Sequence, residues 1–308
     1  MSILRNYFMI AIRNLLRQKT YTAINIAGLA IGMSCCLIIL MIVWDELSYD
    51  RFHENADRLY RITLDAHMQD REFITARSSG PVAASLRETL PEVEAATHLR
   101  SRGGTPTGDC AVRYGDKAFN EFLLYFADSS FFKVFKCEAL EGDARTFLTQ
   151  PNTIVITDAI ARKYFGDEPA LGKTLEVDGR SQFMVCGVVK EFPRQSHWRF
   201  TLLASLAGRT PPDEDNWLNS SWYTYVLLKK GASREQAEST FRVVVEKHVR
   251  PAVEEVLGGD WEEMKAMGMY YRFRFQPITD IHLHSRLDEE AFPPGNAATV
   301  YALIMIAV

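Results

Sequence analysis

The sequence predicts a membrane-spanning helix followed by a large α+β domain. Three observations predict it. Residues 21–44, YTAINIAGLAIGMSCCLIILMIVW, carry no charge. Residues 45–294 have an ordinary globular composition, with aromatic residues throughout and no low-complexity tract. Within that stretch, segments of alternating apolar residues are interspersed with segments of helical spacing.

At about 1.5 Å per residue, roughly 20 residues cross a hydrocarbon core of about 30 Å, so residues 21–44 are long enough. The alternatives are a buried helix and a cleaved signal. A soluble helix rarely needs to be apolar on every face. A signal's apolar region is about 7–15 residues long and is followed by a small-residue cleavage site. Here Trp44-Asp45-Glu46-Leu47 follows instead. Ahead of the run, residues 1–20 predict an amphipathic interfacial helix. Leu4, Tyr7, Phe8, Ala11, Ile12, Leu15 and Leu16 share one side, and Arg5, Arg13 and Arg17 fall between them. These arginines and Lys19, with no acid among them, place the N-terminus in the cytoplasm and residues 45–294 outside it. Gly28 and Gly32 form a small-xxx-small pair on the membrane helix, a face on which another helix can pack closely.

Along the domain, residues 45–61 read as a polar linker. Tyr60, Ile62 and Leu64 alternate as a first strand. Ser79-Gly80-Pro81 opens a helix carrying Val82, Ala83, Leu86 and Leu90, which Pro91 stops. Residues 93–99 and 119–126 read as strands, with a Gly- and Thr-rich loop at 101–109. Asp128-Ser129-Ser130 caps a short helix bearing a core cluster, Phe131, Phe132 and Phe135. A strand at 152–157 leads into a helix at 158–165, ended by Gly166. Residues 174–192 form a hairpin about Asp178-Gly179. Strands are expected at 198–206, 221–230 and 270–276. Ser233 and Gln236 form a capping box for a helix burying Ala237, Phe241, Val244, Val245 and Val249. Residues 295–308, uncharged and apolar, read as the start of a second membrane helix that breaks off.

Little catalytic chemistry is encoded. The net charge is -4, too balanced for a nucleic-acid surface. Leu171-Gly172-Lys173-Thr174 lacks the upstream glycine of a phosphate-binding loop. Asp280-Ile281-His282-Leu283-His284, read as a strand, would turn both imidazoles to one face; the competing reading is a segment that shapes the return towards the membrane. Cys110, Cys137 and Cys186 are too widely spaced for a zinc site or a disulfide framework, and their pairing is undetermined.

Several blocks, in this order, resemble the MacB/FtsX-like permease subunits of ABC transporters. They are RNLLRQKTYTAINIAGLAIGMSCCLIILMIVWDELSYDRFHENADRLYRI, SSFFKVFKCEALEGD, IVITDAIARKYFGDEPALGKTL after Pro151-Asn152, VCGVVKEFPRQSHWRF and PITDIHLHS. The resemblance implies a MacB-like extracytoplasmic core domain of two α+β subdomains. A porter-like part would span roughly 58–118 and 198–285, and an inserted middle part 119–197. It also implies a non-enzymatic permease subunit of a bacterial inner membrane, without cofactor or metal. Its partners would be a cytosolic ATPase, a second permease subunit, membrane lipid and a periplasmic adaptor or substrate protein. Its role would be to transmit ATP-driven motion outward for efflux or extrusion. The family pattern continues through further membrane helices, so the sequence reads as the first part of a longer protein. The alternative is a membrane-anchored extracytoplasmic sensor or binding module. Substrate and direction are not encoded in any motif found.

Overall fold

The computed structural model describes residues 2–68, 71–102, 108–209, 211 and 214–307. They fall into two compact units, Met1–Ser48 with Asn296–Val308, and Tyr49–Gly295.

The first unit is helical. Helix α1 (Ser2–Arg17) is followed after Gln18 by α2 (Lys19–Leu47), which runs three residues past Trp44. Helix α2 is long and apolar enough to cross a membrane. Two of its few polar side chains are satisfied by nearby backbone, as a hydrocarbon setting demands. Thr22 Oγ1 donates to the Leu15 carbonyl at 3.0 Å, and Ser34 Oγ to the Ala30 carbonyl at 2.7 Å. The C-terminal residues Ala297–Ala307 are also helical and pack on α2. Val43 and Val300 are the buried residues of this pair.

The second unit is built on one sheet that joins thirteen strands among the described residues. Its first half comprises β1 (Leu59–Met68), β2 (Arg71–Thr75), α3 (Val82–Thr89) and β3 (Val93–Ser101). The chain then builds β4 (Cys110–Tyr114), β5 (Lys117–Glu121), β6 (Leu124–Ala127), α4 (Phe131–Val134) and β7 (Ala139–Glu141). Next come β8 (Thr153–Thr157), α5 (Asp158–Phe165), β9 (Thr174–Val177), β10 (Ser181–Val189) and β11 (Leu202–Ser205). Finally β12 (Tyr223–Leu228), α6 (Arg234–Leu257), α7 (Trp261–Ala266), β13 (Tyr270–Pro277) and α8 (Ile278–His284) close the unit, ahead of α9 (Ala297–Ala307). The strand order is β13-β1-β12-β3-β6-β11-β8-β10-β9-β4-β5, with β2 on β1 and β7 on β10. The pairs β8–β10 and β6–β11 are parallel.

The period-2 alternation of β1 explains its two roles. Ile62, Leu64 and Ala66 enter a core with α3 and with Phe241, Val245 and Val249 of α6. Leu59 enters a different core, with Phe131, Phe135, Trp198 and Tyr225. A third core lies under α5. The Asp178-Gly179 turn has φ of 51° and 63°, a left-handed pair closed by the Arg180 amide donating to the Val177 carbonyl at 3.2 Å. Ser233 Oγ accepts the Gln236 amide at 3.2 Å and so caps α6.

Within the strands and helices of the domain, the structure differs from the sequence expectations as follows. The strand expected at 119–126 is two strands, because Leu123 takes a left-handed φ of 62° and breaks the run. Only Leu202–Ser205 of the expected 198–206 strand is a strand; Trp198 and Phe200 are spent in a core instead. Ser130 makes no side-chain cap on α4, where the Asp128 carboxylate accepts the Ser130 amide at 2.9 Å. Residues 278–284 are helix α8, not strand. Strand β4, inside the span assigned to the porter-like part, pairs with β9 of the middle span. Part of the 101–109 loop lies outside the described residues.

Gly187 is set by packing. It sits at a bulge in β10, and a Cβ there would lie 2.2 Å from the ring of fully buried Phe147. Gly187→Ala should therefore lower unfolding stability by about 1–3 kcal/mol, measured by denaturant unfolding. Trimming the opposing ring with Phe147→Leu should remove part of the clash, so the two substitutions should be non-additive.

Candidate functional site at the two chain connections

The second unit joins the helical unit twice, after Ser48 and before Asn296. Residues 45–61 read as a polar linker; of these, residues 45–47 complete α2 and 59–61 open β1. Between them, Asp50 and His53 are buried against the domain, while Arg51, Phe52, Glu54 and Asp57 stay exposed.

Asp50 has no solvent exposure. Its amide donates to the Gln195 carbonyl at 2.8 Å. Its carboxylate accepts from the His197 amide at 3.1 Å and from Ser196 Oγ at 3.4 Å. His197 Nδ1 lies 2.9 Å from Asp50 Oδ1, a close approach rather than an aligned hydrogen bond. The other ring nitrogen is 2.7 Å from the Tyr225 hydroxyl on β12. Burial raises the Tyr225 phenol well above its ordinary range, which keeps its proton in place. Tyr49, one residue before, stacks on His282 of α8 with ring centroids 3.3 Å apart and planes 2° from parallel.

The outgoing connection is held as firmly. Arg61, on the face of β1 opposite Ile62, has no solvent exposure. It pairs with Glu290 through two contacts, Nη1 to Oε2 at 2.5 Å and Nη2 to Oε1 at 2.7 Å. Its remaining donors reach Gln276 Oε1 at 2.7 and 3.2 Å and Ser285 Oγ at 3.1 Å. The guanidinium fork thus has partners across its breadth, the condition under which a buried charge is tolerated. Neighbouring residues are tied by backbone: Ala76 donates to Asp288 at 2.9 Å and Asp288 to Ile74 at 3.0 Å. Tyr223 Oη donates to the Glu289 carbonyl at 2.8 Å. At the far end, the Gly295 amide donates to the His282 carbonyl at 2.7 Å. His282 therefore carries the incoming Tyr49 on its ring and the outgoing Gly295 on its carbonyl.

This clarifies the histidine pair weighed as metal ligands. On α8 the two residues point in different directions; His282 is buried and His284 exposed. No cluster of three metal-ligating side chains occurs among the described residues. Gly28 and Gly32 lie on α2, where a Cβ at either would meet nothing within 4 Å. The three domain cysteines are free thiols, and burial raises those of Cys110 and Cys137. Asp50, His197, Arg61, Glu290 and His282 were not read as a group, since they span 241 positions. The one available signal was Arg61 itself, a charge inside the apolar alternation of β1.

The arrangement defines a class: a helix long and apolar enough to span a membrane, leading into an α+β domain that grips both of its own chain connections. The chain belongs to the MacB-like periplasmic core domain family, whose profile matches residues 22–243. A domain of a protein assigned as a permease, from Porphyromonas gingivalis, is similar in fold at 22% sequence identity and a TM-score of 0.61, covering 82% of this chain and 99% of that one. The extracellular domain of the noncanonic ABC-type transporter YknZ from Gram-positive bacteria matches at 17% identity and a TM-score of 0.44, covering 70% of this chain and 99% of that one. The periplasmic region of MacB from Actinobacillus actinomycetemcomitans matches at 17% and 0.44, covering 63% and 87%. No functionally curated protein matches the sequence.

Two outcomes are expected. Arg61→Met or Glu290→Gln, each leaving a buried partner unpaired, should cost about 3–5 kcal/mol by denaturant unfolding. The double Arg61→Met/Glu290→Met variant should cost less than the sum of its single changes. The second concerns His53, which is buried against Phe135 and Phe192. Desolvation lowers its pKa to about 4; Asp50 opposes the shift and His197 adds to it. The unfolded chain then binds this proton at a higher pH than the folded one. Stability should fall as pH drops from about 6.5 towards 4, by up to roughly 3 kcal/mol, and His53→Phe should flatten that part of the profile.

Proposed function

We propose that the chain forms part of a non-catalytic permease subunit of a MacB/FtsX-type ABC transporter. Its N-terminus lies on the cytoplasmic side of a bacterial inner membrane, and Tyr49–Gly295 lies outside. A cytosolic ATPase drives movement of the membrane helices, and the outer domain follows to extrude a substrate. Family membership over residues 22–243 supports the permease assignment. The observation that carries the mechanism is the double grip at Asp50 and Glu290. A domain held at both connections through buried polar contacts can be moved as a rigid body when its helices shift. Within the domain, the porter-like part is built from both ends of the sequence and the inserted part from the middle. Gly28 and Gly32, open on α2, pack against a helix of another permease segment or subunit. An adaptor or substrate protein engages the outer domain, and lipid surrounds α2 and the cationic side of α1.

The full-length natural product, purified in mild detergent, should bring a cytosolic ATPase subunit with it. Finding no ATPase partner with an intact permease would instead favour the anchored sensor. Gly28→Leu/Gly32→Leu should reduce recovery of the assembled complex several-fold while leaving the thermal unfolding of the outer domain unchanged.

A further inference from the structure

A cleft of about 310 Å³ opens beside the double grip, lined by Tyr49, Arg194, Arg199, His282, Glu290 and Phe292, among others. Its charge balance is one-sided. Among the described residues Glu290 is the one carboxylate lining it, and it is spent on Arg61; the buried Asp50 carboxylate lies behind Ser196 and His197. Neither Arg194 nor Arg199 forms an ion pair among the described residues, although both line the cleft. Arg199 stacks over Phe292 at 5.4 Å, and its Nε is buried with no hydrogen-bond acceptor. The rest of the wall is aromatic and aliphatic, with Ile281, Pro293 and Pro294 adding to Phe292 and Tyr49.

Covalent geometry limits where this cleft can lie. Tyr49 is two residues from the end of α2 at Leu47, so their Cα atoms are at most about 7.6 Å apart. Pro294 is three residues from the start of α9, at most about 11 Å away. The apolar run of α2 ends at Trp44, a residue type that settles at the headgroup level of a bilayer. Whatever the angle between the helices and the domain, two walls of the cleft stay within reach of that level.

We propose that this cleft binds the anionic phosphate headgroup of a phospholipid from the outer leaflet. Arg194 and Arg199 grip the phosphate oxygens, for which the guanidinium fork is well matched, and Phe292, Ile281 and the prolines take the glycerol and upper acyl carbons. The bound lipid would brace both chain connections at once, because Tyr49 and Pro294 each form part of its wall. The inference rests on reading α2 as a membrane span.

The test uses the whole chain in neutral detergent, titrated with dihexanoylphosphatidylglycerol, the zwitterionic dihexanoylphosphatidylcholine and free glycerol phosphate. Saturable binding of the anionic lipid is expected, with weaker binding of the other two. Arg194→Gln/Arg199→Gln should weaken the anionic lipid at least about 10-fold. If the double variant folds poorly, Arg194→Gln alone carries the test, because that side chain is exposed. Unchanged lipid affinity in a folded variant overturns the site. Glycerol phosphate binding as tightly as the lipid overturns the lipid source in favour of a free phosphate. Carbonate washing of membranes checks the premise separately. Release of the chain would overturn the reading of α2, and the lipid source with it, whatever the affinities measured in detergent.

Discussion

Arg61 is a full charge with no access to water. Taking such a group out of water costs several kcal/mol, and only close, well-shaped partners offset that. The partners come from two separate places: Glu290 and Ser285 on the outgoing segment, and Gln276 at the end of β13. The segment from Ser285 to Gly295 cannot leave the domain without stranding this charge. Asp50 imposes the same constraint on the incoming segment, where Gln195, Ser196 and His197 supply the partners. Buried charge, rather than apolar area, therefore dictates where the chain enters and leaves.

That choice also fixes geometry. Apolar contacts are non-directional and allow small slips, whereas a bidentate ion pair and a buried carboxylate hold their geometry. Helix α8 links the two grips, since Tyr49 stacks on the His282 ring and Gly295 donates to the same residue's carbonyl. Both connections are thereby held by one residue of the same helix inside the domain. The sheet is continuous from β1 and β12 through β3 and β6 to the remote strands.

Much of the fold was legible, for local reasons. The charge-free run became α2 because hydrocarbon tolerates little else. Asp178-Gly179 marked the β9–β10 hairpin because its turn takes two left-handed residues. Ser233 and Gln236 marked the start of α6. What stayed hidden was decided at a distance. Asp50 looks like part of a polar linker until Ser196 and His197, about 146 positions later, fold over it. Residues 278–284 are too short for periodicity to choose between strand and helix, and packing of Ile278 and Ile281 into a core made the choice. The β4–β5 hairpin was missed although Gly115 sits at its turn with φ of 55°. The cleft arginines carry no sequence signal, since they become a site only when Tyr49 and Phe292 are brought beside them.

Both connections are part of the folded domain rather than tethers to it. Amide hydrogen exchange on the membrane-reconstituted protein tests this most directly. The amides of Asp50, Asp288 and Gly295, each donating to a backbone carbonyl, should exchange only as slowly as the strands of the central sheet. Fast exchange at those three positions, with the sheet still protected, would show the domain hanging on flexible tethers and would contradict the account.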